Sequence, residues 1–238
     1  MNPTEIGLID SRNEKLWQDL IKSHDIELAV MDYPSYAVDS QNEISTIIIP
    51  ENDIDINSFT HELLHILLRQ KEQFFGARFR NLVLTHEVLN QILSEDLLEH
   101  FGNCMDHIKM LPIYLELGFD KKKFIMDYDV NKCTKGEIKQ LKDNFKINGS
   151  IYYGAGIDFY LAKYIAVKSD PKQHINYPKS LQELKNLDSK LFGVLEKCVV
   201  DWNKMPLIKE NIMDEDYLSI ATDFFESLSE WTEGKTFV

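Results

Sequence analysis

Apolar and polar positions along the chain keep a helical period at first, change to short β-prone runs, and then return to the helical period. Leu16, Trp17, Leu20 and Ile21 recur at three- to four-residue spacing, and Asp10 or Ser11 stands where a helix cap is wanted. This predicts a first helix ending near Ser23. Three β-prone segments follow, at 26–31, 35–38 and 45–49, separated by the turn-prone runs 32–34 and 39–42. Thr46-Ile47-Ile48-Ile49 is β-branched throughout, and Pro50 stops it. Asp53 to Asn57 then offers caps for a helix reaching Gln70, filled by Phe59, Leu63, Leu64, Ile66, Leu67 and Leu68.

Residues 74–80 read as a looser connection. A long helical pattern covers 84–111, with Pro112 as a kink or restart and Gly118 as a stop. Beyond it only helices are expected, at 135–145, 152–168, 181–202 and 217–231. Strands first and helices afterwards argue an α+β fold. A small antiparallel or mixed sheet should pack on the 53–70 helix in a zincin-like core over 1–118. A mostly helical region, 119–238, should follow and pack on that core.

The 238 residues suffice to bury a core. Hydrophobic residues make up 44% and charged residues 27%, the mix of a globular protein. No apolar run approaches the roughly 20 residues that span a bilayer, and the N-terminus lacks a basic start and an apolar stretch. Cys104, Cys133 and Cys198 are widely spaced, which suits thiols in a reducing cytoplasm rather than a disulfide framework. A net charge of −13 repels phosphate backbones, so nucleic acid is not expected as partner; with no apolar run of spanning length, neither is a membrane.

The chemistry concentrates in His61-Glu62-Leu63-Leu64-His65. Residues four apart share one face of a helix, so His61 and His65 can aim ring nitrogens at one zinc ion. Glu62, beside the first ligand, is placed to act as general base, with a zinc-bound water as nucleophile. A catalytic zinc takes three protein ligands. Five of the seven histidines lie between residues 61 and 107, and Glu95, Glu99, Asn103 and His107 recur every four residues in the 84–111 helix. Glu99 is the first choice for third ligand, because it stands seven residues after Ile92 and eleven after Val88. It would thus share their apolar face, where a carboxylate needs a cation. Glu95 and His107 are the alternatives. Tyr152, Tyr153 and Tyr160 could stabilise an oxyanion, but packing is the simpler role for each.

With strand 47–49, a short acidic loop and Phe59-Thr60-His61-Glu62 in sequence, residues 25–105 resemble the compact zinc peptidases typified by the ImmA and IrrE proteins. That family includes cytosolic bacterial and phage proteases that cleave repressors. Here Thr60 directly precedes His61, where the family usually has two residues between. The resemblance implies His61 and His65 as ligands, Glu62 as base, Glu99 or Glu95 as third ligand, and a protein or peptide substrate. Strand 46–49 would serve as an edge on which extended substrate pairs. A zinc-binding regulatory or protein-interaction module is the competing function, and hydrolysis of another amide a third.

Overall fold

The β-branched run becomes the middle strand of a three-stranded sheet in the computed structural model, which describes residues 2–41, 44–172, 177–207 and 216–238. Asn42 of the expected turn, and His174, lie outside these residues. Helix α1 (Glu14–Leu20) leads to β1 (Asp25–Met31), β2 (Ala37–Gln41) and β3 (Ile44–Pro50). The sheet is mixed. β3 pairs in parallel with β1, setting Leu28 opposite Ile47, and antiparallel with β2, setting Val38 opposite Ile47. So β3 is no edge: its neighbours use both of its sides, and the sheet's outer strands are β1 and β2. That corrects the expectation of a substrate-holding edge at 46–49.

Side chains alternate across β3, so Ser45, Ile47 and Ile49 are buried on one face. Helix α2 (Ile56–Gln70) packs against β2 and β3 and adds Phe59, Leu63 and Ile66, spaced four and three apart, to the same core. Asp55 caps α2, its carboxylate accepting from the backbone N–H of Asn57 and Ser58. Tyr36 holds the approach to that cap: its hydroxyl donates to the Asp53 carbonyl at 2.7 Å and accepts from Asp55 N–H at 3.0 Å. Fully buried Asn13 donates to Leu8 O and to Thr60 Oγ1, both at 2.9 Å. Thr60 in turn donates to Ile56 O, so the residue before His61 is fixed from two directions.

The expected helix at 84–111 is three helices, beginning earlier. They are α3 (Phe75–Leu84), α4 (Glu87–Ile92) and α5 (Glu95–Glu116). Residues 74–80 are therefore mostly helical. Gly76 reads as a loop residue, yet it sits where α3 and α5 touch: a Cβ there would lie 2.7 Å from Gly102 Cα. α5 runs through Pro112 and stops at Gly118, whose φ of +88° admits a glycine readily. Gly118 N–H bonds to Leu115 O and Phe119 N–H to Tyr114 O, a Schellman ending.

After a short 3₁₀ turn (Lys121–Lys123) come α6 (Lys135–Asn144), α7 (Gly154–Ser169), α8 (Pro178–Leu187), α9 (Ser189–Lys204) and α10 (Tyr217–Thr232). The expected 181–202 helix breaks at Asp188, which leaves helical geometry and caps α9. A second small sheet, β4 (Lys146–Asn148), β5 (Ile151–Tyr152) and β6 (Thr236–Phe237), was not foreseen, since strands of two or three residues carry no period.

The chain forms two compact units: Met1–Gln73 with Lys109–Tyr128, and Phe74–Ile108 with Asp129–Val238. The first holds the mixed sheet and α2. The second is a helical body around Phe75, Phe79, Phe101, Phe224 and Trp202, whose indole donates to Met105 O at 2.7 Å. Neither unit is bounded at residue 118, because the division falls inside α5.

Gly156 gives a direct test of packing in the second unit. A Cβ there would lie 2.2 Å from Asn144 O and 3.0 Å from Phe145 Cα, both backbone atoms that cannot rotate aside. Overpacking typically costs about 1–3 kcal/mol, and Gly156→Ala is expected at the upper end. Gly193, exposed on α9 with nothing within 4 Å of its Cβ position, is the control. There Ala should stabilise by up to about 1 kcal/mol through helix propensity. Urea unfolding measures both, and equal effects would refute the packing argument.

Candidate metal centre

His61 and His65 stand one turn apart on α2, with ring centroids 5.1 Å apart. His107 on α5 completes a group in which each histidine offers a ligand atom within 4.8 Å of the others. All three are at least partly buried. His107 lies on α5 two residues before Lys109, where the helix passes from the second unit into the first. Seven residues on, Tyr114 of the same helix donates to Asn57 Oδ1 of α2 at 3.4 Å. Two helical turns separate them, so His107 and Tyr114 share a face of α5.

Glu99, the first choice for third ligand, is not in this group. It is exposed on α5, eight residues before His107, which is about 12 Å along the axis. Its assignment counted seven and eleven residues back to Ile92 and Val88 through one continuous helix. The helix breaks between them. Leu93 is extended, at φ −107° and ψ 118°, and Ser94 Oγ accepts from Leu97 N–H at the start of α5. The phase of the count is lost there. Glu95 is also elsewhere, in an ion pair with Arg80 at 2.8 Å.

The other candidates have structural roles. His86 caps α4 through Nδ1, which accepts from Leu89 N–H, and its Nε2 lies 2.8 Å from Ser229 Oγ. His100 lies beside Cys104. Tyr152 donates to Asp188 and Tyr160 to Leu184 O within the second unit, while Tyr153 opens α7. The three cysteines are buried thiols.

Burial drives the His61 imidazolium down to a pKa of about 3, reinforced by His65 and opposed by a hydrogen bond to the Phe124 backbone. The ring is therefore neutral, the state that binds a metal. Glu62 is 8% exposed, and burial raises its carboxyl above the ordinary range, with His65 pulling the other way. A carboxyl raised toward neutrality is a better proton acceptor at neutral pH.

The donor set fits zinc. Two Zn–N bonds of about 2.0–2.1 Å at the tetrahedral angle set their nitrogens roughly 3.3 Å apart, inside the 4.8 Å within which these ligand atoms lie. Nitrogen ligands suit zinc and its first-row neighbours, whereas magnesium and calcium favour oxygen. Among the described residues no fourth histidine, cysteine, aspartate or glutamate belongs to the group.

Phe124 was missed in the sequence. Its ring centroid lies 4.8 Å from that of His61. The only clue was an aromatic residue soon after a glycine helix stop. Among the described residues no helix is long and apolar enough to cross a membrane. No family model, no curated protein and no solved structure matches the chain.

Proposed function

We propose that this chain is a zinc-dependent hydrolase, a metallopeptidase, with His61, His65 and His107 as ligands and Glu62 as general base. One observation carries the reading: a buried carboxylate sits on the helix that bears two of three converging histidines. Structural zinc usually takes four protein ligands, often with cysteine, and has no need of such a group.

When bound, zinc would supply Lewis acidity to water and to the carbonyl under attack. Glu62 would hold the attacking water by its carboxylate and take one proton. It would then pass that proton to the departing amine nitrogen. Burial keeps the carboxylate poorly solvated and so more basic. A substrate strand adding to the first sheet would have to pair with β1 or β2, since β3 is taken.

The test begins with the purified chain, its zinc content and a quenched-fluorescence peptide library. One zinc per chain is expected, with peptide cleavage that stops on chelation and returns with added zinc. Zinc without cleavage would reduce the chain to a binding module, and cleavage indifferent to chelation would end the proposal.

A further inference from the structure

A third segment of the first unit is packed against His61. Gly118 ends α5 in the Schellman turn described above, which brings Phe119 back onto Tyr114, ring centroids 5.1 Å apart. The Arg12 guanidinium covers Phe119 at 4.0 Å from its centroid. Asp120 then starts the 3₁₀ turn by accepting from Lys122 N–H at 2.9 Å, and Phe124 follows. Phe124 is 2% exposed. Its ring meets Tyr114 edge-on at 5.1 Å and the His61 imidazole at 4.8 Å. Its backbone also hydrogen-bonds the His61 ring.

That bond favours the protonated ring, so the Phe124 group is the carbonyl, which can only accept. The imidazole nitrogen that faces it must carry the proton, and the other nitrogen keeps its lone pair. A neighbour of this kind fixes both the tautomer and the rotation of a metal-binding histidine. Resting on the metal-centre reading above, we infer that Phe124 is a positioning residue for the metal centre: its carbonyl and its ring together hold His61 with one nitrogen presented to the ion. The chain of contacts from Arg12 through Phe119, Tyr114 and Phe124 then has a task beyond filling space. It carries the ordered end of α5 to the first ligand of α2.

The tautomer is readable in the metal-free wild-type protein by long-range proton–nitrogen correlation of the histidine rings. His61 is expected as one tautomer, with its N–H slow to exchange. A tautomer mixture, or an N–H exchanging as fast as that of a free histidine, overturns the assignment with no variant needed. Phe124→Ala adds a second readout. In the full chain, with helical circular dichroism retained, zinc affinity should fall about 10–100-fold, the range for losing a residue behind a ligand. The visible spectrum of the cobalt-substituted protein should change as well. Phe124→Leu, which keeps apolar bulk, should recover part of the affinity.

Wild-type affinity and an unchanged cobalt spectrum in Phe124→Ala would overturn the role of Phe124 alone. Failure of the wild-type chain to take up zinc would overturn the metal reading, and this role with it. Should Phe124→Ala not fold, the wild-type tautomer measurement decides.

Discussion

Glu62→Gln is expected to keep zinc and to lose hydrolysis by about 10²–10⁴-fold, the contribution of a positioned general base. The amide has nearly the volume of the carboxylate, so the buried site is filled as before. Its position on α2 is fixed by the Asp55 cap and by Thr60, neither of which the change touches. Glu62 is not among the converging ligand groups, so the ion should stay. What disappears is the capacity to take a proton. Glu62→Ala would answer less cleanly, because it vacates volume and admits water. Zinc content by elemental analysis, beside turnover of the best library peptide, reads both quantities from one preparation. Full turnover in Glu62→Gln would remove Glu62 from the mechanism. Loss of zinc along with turnover would make it a ligand instead.

Where a residue's role is set by its near neighbours, the sequence made it legible. His61 and His65 share a face because a helix has a fixed pitch, and that follows from spacing alone. The three strands were readable from β-prone runs, but the second continues through Asp39–Gln41, expected as a turn, and their order was not readable. A middle strand differs from an edge in what pairs with it, and pairing partners lie far apart in the chain. Gly76 failed for a related reason. A glycine demanded by a helix crossing looks, in sequence, like one demanded by a turn. The choice of Glu99 rested on phase, and two extended or capping residues, Leu93 and Ser94, interrupt a pattern whose apolar residues continue on both sides. Phe124 had no readable period. Its place depends on the Gly118 turn folding the chain back on Tyr114.

The competition between Glu99 and His107 is open to a matched pair of variants. His107→Ala is expected to weaken zinc binding by at least about 100-fold, beyond the roughly 10–100-fold that follows loss of a residue standing behind a ligand. Glu99→Ala should bind as wild type does. The reasoning is geometric. His107 offers a nitrogen within 4.8 Å of both other ligand atoms, while Glu99 is exposed and two helical turns away. Competition against a chromophoric chelator gives the affinities, and thermal unfolding without metal separates ligand loss from damage to α5. His107→Cys sharpens the result, since a thiolate can also bind zinc and should restore part of what alanine removes. If Glu99→Ala released the ion while His107→Ala kept it, the centre would be two histidines and a carboxylate. The all-histidine arrangement would then fall. The hydrolytic proposal could survive that outcome, because two histidines and a glutamate also leave an open position beside Glu62. The structural argument for His107 would not.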